Sequence, residues 1–238
     1  MKILFISYYY PPDISAGSFR TRSILEAFRQ TSDNSISIHV ITTAPHKTFL
    51  NAEEQNYGLD TENLTIDRVR LPFLAGTFRA DVINFLYFFY RVLKLAKNIR
   101  YDVVAATTSR LMTGFLGACI SRMTGTPLYL DIRDIFYESF RDVFKSTVFT
   151  PIIYCIRQIE SFTYPTAQTI NIVSAGFIPY VRQFNVKRLT VRTNGIDDEF
   201  LNIDYCSRGE KKGKKTILYA GNIGLGQCLH KIIPELAD

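Results

Sequence analysis

Apolar and polar residues alternate along this chain in short blocks whose period switches between that of strands and that of helices. Residues 2–7 form an apolar run of the kind that makes a parallel strand buried on both faces. A tyrosine-rich turn with Pro11 and Pro12 follows. Two prolines exclude both a helix interior and a central strand, so the chain leaves the sheet there. Gly17 and Ser18 then precede residues 19–30, where Phe19, Ser23, Leu25, Ala27 and Phe28 recur at roughly helical spacing among charges. Ile36, Ile38 and Val40 alternate with polar residues and predict a second strand ending near Thr42. Residues 43–63 read as a long polar surface loop, and 65–69 as a short strand that Leu71 and Pro72 end.

The strongest helical signal covers residues 79–99. Val82, Leu86, Phe89, Leu93 and Ala96 make one apolar row, with Phe85, Phe88, Val92, Leu95 and Ile99 beside it. Asn84, Tyr87, Arg91, Lys94 and Asn98 form a narrow polar stripe. Such a helix is expected to lie between a sheet and a neighbouring helix, with a membrane surface as the alternative contact. Residues 102–107 predict a strand at whose end Thr107, Thr108 and Ser109 face the ligand side. Residues 111–123 predict a helix closed by Gly125, with Pro127 beyond it. Strands at 128–132, 169–173 and 189–192, a helix at 143–163 interrupted by Pro151, and a short helix at 176–183 complete the series. Alternation of this kind predicts an α/β fold with a doubly wound parallel sheet and ligands at the carboxyl ends of its strands.

A strand, a loop with one glycine and a helix start place free backbone N–H groups and a positive helix end above the sheet, where a phosphate is the usual occupant. Gly17 and Ser18 are the candidate donors. A loop that merely caps the strand is the competing reading, since one glycine falls short of G-x-G-x-x-G. Composition narrows the partners. The chain has 238 residues, 47% of them hydrophobic, and a net charge of 28 − 22 = +6, enough core for a folded α/β domain and a modest excess suited to phosphate-bearing small molecules or an anionic surface. No basic–aromatic signature for nucleic acid is present. Cys119, Cys155, Cys206 and Cys228 are far apart, and His39, His46 and His230 have no ligand-like neighbours, so neither a disulfide frame nor a metal site is expected. The apolar runs at 82–96 and 143–156 are broken by Arg91 and Lys94 and by Lys145 and Pro151, so neither predicts a membrane span.

Composition shifts after Phe200. Residues 1–200 read as one domain and 201–215, with Lys211-Lys212-Gly213-Lys214-Lys215, as a solvated linker. Residues 216–238 read as a strand (216–219), a glycine loop (220–227) and a helix (229–236) that begin a second, incomplete domain.

Taken in order, four segments resemble motifs of the GT-B glycosyltransferases of retaining family 4, near the branch that builds bacterial O-antigen and capsule sugars. Residues 8–22 (YYYPPDISAGSFRTR) are similar to the family's PPE-x-G-G loop. Residues 130–139 (LDIRDIFYES) resemble R-D-L-W-P-E-S, residues 194–200 (NGIDDEF) resemble N-G-V-D-x-x-x-F, and residues 218–229 (LYAGNIGLGQCL) resemble Y-A-G-N-L-G-x-x-Q-G-L. Ala16 replaces a second glycine, Phe136-Tyr137 replace Trp-Pro, and Cys228 replaces a glycine. Asn222 and Gln227 stand where many relatives carry Arg and Lys.

The resemblance implies a Rossmann-like GT-B N-terminal domain. It also implies transfer of a sugar from a nucleotide-sugar to a saccharide or lipid-linked acceptor in cell-surface polysaccharide synthesis, at the cytoplasmic face of the membrane and without metal or other cofactor. Gly17, Ser18, Asn222, Gly224 and Gln227 are the expected donor-binding positions. Arg133 is expected to neutralise a phosphate or fix the acceptor. Asp134, or Glu138 four residues on, would orient the acceptor hydroxyl; both share a face if that stretch is one helical turn. An Arg133–Asp134–Glu138 ion-pair cluster capping the next helix is the alternative. Ser174 and Asn194 are weaker candidates. The E-x7-E region of relatives lies beyond Asp238, so the chain is expected to be a truncated transferase with little turnover, able to self-associate through its tail. A non-catalytic acceptor- or nucleotide-binding module is the second hypothesis. An NAD-dependent oxidoreductase is disfavoured, because Thr42-Thr43 stand where an acidic residue should end the second strand.

Overall fold

A computed structural model of the chain describes residues 1–31, 35–45, 63–73, 77–196, 201, 218–221 and 229–237. Seven strands form one sheet: β1 (Lys2–Ile6), β2 (Ser37–Thr43), β3 (Leu64–Val69), β4 (Val103–Thr107), β5 (Leu128–Ile132), β6 (Thr169–Ile172) and β7 (Leu189–Val191). Their order is β3-β2-β1-β4-β5-β6-β7 and every pairing is parallel. β1 pairs with β2 through Ile3↔Ile38 on one side and with β4 through Ile3↔Val103 on the other. The order of strands reverses at this point, and connections leaving β1 and β4 in opposite directions open a crevice at their carboxyl ends.

Among the described residues seven α-helices accompany the strands: α1 (Ala16–Thr31), α2 (Phe78–Ala96), α3 (Leu111–Thr124), α4 (Phe136–Val143), α5 (Thr150–Thr166), α6 (Ile178–Val181) and α7 (Leu229–Ala237). Because side chains alternate along a strand, neighbouring residues of β1 enter different cores. Leu4 and Ile6 pack with Phe88 and Val92 of α2, Leu116 of α3, Tyr164 of α5 and Val181 of α6. Ile3 and Phe5 pack beneath Leu25 of α1 with Ile38, Val40 and Ala105. The α/β fold with a parallel sheet is as expected. α3 ends as expected too: Gly125, at φ 74°, adopts the left-handed conformation and donates its N–H to Ser121 O.

Several boundaries differ. Helix α1 begins at Ala16, three residues before the hydrophobic pattern does. Pro151 does not interrupt a helix but sits in the first turn of α5, where a missing N–H costs nothing. A separate helix, α4, begins inside the 130–139 motif and runs to Val143, with Phe136, Phe140 and Val143 at helical spacing, a pattern hidden by its overlap with that motif. In α2 the buried row is Phe85, Phe88, Val92 and Ala96, whereas Val82 and Leu86 are exposed. Asn84 of the expected polar stripe is buried, its amide bonded to both the N–H and the carbonyl of Phe73. Residues 218–220 form no strand, although the helix expected at 229–236 is present as α7.

Candidate functional site

The site is built on the segments that leave the carboxyl ends of the strands. The turn after β1 is buried and pinned from several sides. Ser7 Oγ donates to Tyr9 O (2.8 Å), Thr43 Oγ1 donates to Tyr8 O (2.6 Å) and Arg68 Nη2 donates to Pro11 O (2.7 Å). Arg110, just beyond β4, donates from Nε and Nη2 to Tyr9 OH (3.1 and 3.0 Å) and lies 4.4 Å over the Tyr8 ring. Burial raises the Tyr8 pKa to about 12 against the opposing pull of Arg110, so its hydroxyl stays protonated at neutral pH.

This turn delivers the chain to α1, whose first turn is capped by Ser15. Ser15 Oγ accepts the N–H of Ser18 (3.2 Å) and Ser15 O accepts that of Phe19 (3.1 Å). Gly17 and Ser18 therefore lie inside the helix rather than in a loop before it. The Ser18 N–H is already engaged and its side chain is fully buried, which corrects its expected role as a backbone donor. Gly17 serves close packing: a Cβ there would lie 2.8 Å from Ser109 Cβ in the turn after β4. The exposed end of the helix is Ala16. Thr107 and Thr108 are buried rather than facing a ligand, and Thr108 Oγ1 accepts the N–H of Arg133 (3.0 Å).

Arg20, which the sequence pattern does not single out, ties α1 to β5 and to the segment just after β7. Its Nη2 lies 2.9 Å from Asp131 Oδ1 and its Nε 3.3 Å from Asp131 Oδ2, a two-pronged ion pair almost wholly out of water. Nη1 donates to Thr193 O (3.0 Å) and Nη2 also to Arg192 O (3.2 Å). Asp131 Oδ1 accepts a further bond from Asn171 Nδ2 (2.7 Å), and Asn171 Oδ1 one from Thr190 Oγ1 (3.1 Å). The sequence signal for this network is a polar residue, Asp131 or Asn171, set between apolar neighbours in each of two strands.

Above this network opens a cavity of about 690 Å³. Ala16, Phe19, Arg20 and Ser23 of α1 form one wall, and Tyr129, Arg133, Arg192, Asn194 and Gly195 the other. The α1 start and Arg133 thus line one crevice at the carboxyl end of the sheet. Arg133 is half-buried, and its Nη1 is buried without a hydrogen-bond partner among the described residues. Burial lowers its pKa, Asp131 raises it, Arg20 lowers it further and Asp134 opposes that shift.

Asp134 is exposed and Glu138 half-exposed. Ile135 caps α4, so Asp134 precedes the helix and the two carboxyls are not on consecutive turns of it, contrary to expectation. No ion pair joins Arg133, Asp134 and Glu138 among the described residues, which removes the capping-cluster alternative. What holds α4 is Glu160 of α5, fully buried, which accepts the N–H of Tyr137 (3.2 Å) and the hydroxyl of Tyr180. Burial raises the Glu160 pKa above its ordinary value, and the hydrogen bonds partly oppose that shift. Ser174 is occupied as a cap, accepting from Gly176 N at 3.2 Å. Asn222, Gly224 and Gln227 lie outside the described residues. No group of acidic, His and Cys side chains able to hold a metal is found among the described residues.

No protein-family model and no curated protein sequence matches the chain. Solved structures do. Sucrose-phosphate synthase from Thermosynechococcus elongatus is 12% identical with a TM-score of 0.57, the match covering 81% of this chain and 47% of that one. A shorter form of the same enzyme gives 12% identity and a TM-score of 0.55, over 84% of this chain and 93% of its own. Arabidopsis thaliana UGT89C1, solved with UDP-L-rhamnose, is 13% identical with a TM-score of 0.51, over 89% of this chain and 51% of that one. The chain spans about half the length of the two longer structures. At such identities the likeness is one of fold, and the fold is the Rossmann-like α/β architecture of GT-B glycosyltransferases.

Proposed function

We propose that the chain is the acceptor-side half of a glycosyltransferase of the retaining family 4 type, moving a sugar from a nucleotide-sugar to a saccharide or lipid-linked acceptor in cell-surface polysaccharide synthesis. The observation that carries this reading is the crevice shared by the α1 start and Arg133, at the carboxyl end of a GT-B-like sheet. Departure of a nucleoside diphosphate needs neutralisation of its developing charge, and the oxocarbenium-like transition state needs a nearby carboxylate or oriented hydroxyl. Arg133, with an unpaired buried N–H and permanent charge, meets the first need. Asp134, exposed two residues beyond β5, is assigned to orient an acceptor hydroxyl, with Glu138 in the first turn of α4 as the second candidate. Arg20, in the cavity wall, also holds Asp131 and the 192–193 backbone.

The UDP-L-rhamnose bound to UGT89C1 favours a uridine nucleotide as the first probe. Titrating the purified chain with UDP while following backbone amides by NMR should shift Ala16, Arg133 and Asn194. Affinity should be weak, about 1 mM or poorer (~−4 kcal/mol), since one wall of a two-domain cleft supplies only part of the contacts. Shifts confined to other surfaces, or an equal response to NAD, would remove the transferase reading. Supplying a donor-side domain and recovering sugar transfer would separate the enzyme from a module that only binds.

A further inference from the structure

The outward side of α2 carries apolar side chains that its own core does not use. Val82, Ile83, Leu86 and Tyr90 are 42%, 46%, 61% and 58% exposed. At 3.6 residues per turn they form one stripe, roughly opposite the buried Phe88–Val92 row. Single exposed apolar residues are ordinary, but a continuous stripe is not. This one runs into an open groove of about 620 Å³ between the end of α2 and the end of α3. Leu93, Ala96, Ile120 and Met123 give the groove an apolar lining, and Lys94 and Lys97 stand on its rim.

Charge identifies the occupant. Arg79, Lys94 and Lys97 flank the stripe. The single carboxylate of α2, Asp81, is half-buried 3.9 Å from Arg110, α3 has none, and Asp102 beyond the groove accepts the backbone N–H of Lys2 at 2.6 Å. An apolar stripe with a basic rim and, among the described residues, few acids nearby matches an anionic lipid surface. A second copy of the same face would set like charges against each other. No helix among the described residues is long and apolar enough to cross a membrane, so the contact is one of lying on the bilayer.

We infer that the outer face of α2 and the adjoining α2–α3 groove dock on an anionic lipid bilayer, with the stripe at the boundary of headgroups and acyl chains and Lys94 and Lys97 at lipid phosphates. Tyr90 suits that boundary, having an apolar ring and a polar tip. The inference does not depend on the transferase reading.

Flotation of the 238-residue chain with vesicles tests it. The chain should float with phosphatidylcholine vesicles containing roughly a third phosphatidylglycerol, weakly with phosphatidylcholine alone, and less as salt rises. Leu86→Ser with Tyr90→Ser should lower partitioning about tenfold or more. Lys94→Glu with Lys97→Glu should do so on the anionic vesicles by about tenfold or more. All four positions lie on the outer side of the helix, so circular dichroism and melting should match the parent chain. Absence of flotation with the anionic vesicles, or flotation unchanged in both variants, would overturn the inference. So would a dimer in light scattering that the Leu86/Tyr90 variant breaks while vesicles go unbound, which would assign the face to a second copy.

Discussion

The two faces of β5 and β6 carry out different tasks with alternate residues of the same strands. On one face Leu128, Leu130, Ile132, Ile170 and Ile172 are sealed beneath the helices. On the other, Asp131 and Asn171 are equally buried but polar, and Arg20 reaches down from α1 to complete them. The apolar face stabilises through area removed from water and tolerates approximate replacement. The polar face is held by a few directional bonds, each of which leaves a buried partner stranded if broken. The difference explains where the cavity lies: it opens over the face whose packing is polar and incomplete, against Tyr129, Arg133 and Arg192.

Breaking the polar face should cost most. Asp131→Ala strands the Arg20 guanidinium and should destabilise by about 4 kcal/mol in urea denaturation, whereas replacing Arg20 and Asp131 together by Met and Leu should cost far less. Leu130→Ala, on the apolar face, should cost about 3 kcal/mol by the same measurement, through lost transfer energy and a residual cavity. If the two single changes prove equally tolerant of compensation by a neighbour, the contrast between the faces fails. Gly17→Ala should cost about 1–3 kcal/mol, since the new methyl meets Ser109 Cβ at 2.8 Å and α1 must shift.

Glu160 extends the comparison to pH. Its folded pKa is raised, so between the ordinary 4.5 and the folded value the native state holds the proton that the unfolded state has lost. Stability from this group is therefore fully present below 4.5 and falls as pH rises through the folded pKa. Glu160→Gln should flatten that decline in melting temperature against pH; an unchanged slope would show that Tyr180 and Tyr137 keep the carboxylate charged. The smallest effect on folding is expected at Arg133. Arg133→Ala should alter stability by no more than about 0.5 kcal/mol, because its buried Nη1 has no bonded partner to lose, while weakening UDP-induced NMR shifts.

Much of the fold is legible in the sequence because its signals are local. The 2–7 strand, the Gly125 cap and the alternation of strands and helices rest on residues a few positions apart, and each forms. Boundaries fail where polar chemistry competes with hydrophobic period. Ser15 starts α1 before the first apolar residue of the helix, and Pro151 looks like a breaker unless it is known to occupy the first turn. Of the site residues, Arg133 is legible because its motif is contiguous, and the cavity places it opposite the α1 start. Ser18 misleads because only the helix register shows that Ser15 has taken its N–H.

What the sequence determined by itself was most of the element list, since that rests on side-chain periodicity and backbone preferences within a turn or a strand. Tertiary structure alone decided that Arg20 meets Asp131, 111 positions away, and that Glu160 holds the start of α4. Strand order and the crossing of helices create those meetings. No local pattern encodes them, because a buried ion pair depends on which surfaces the folded sheet brings face to face.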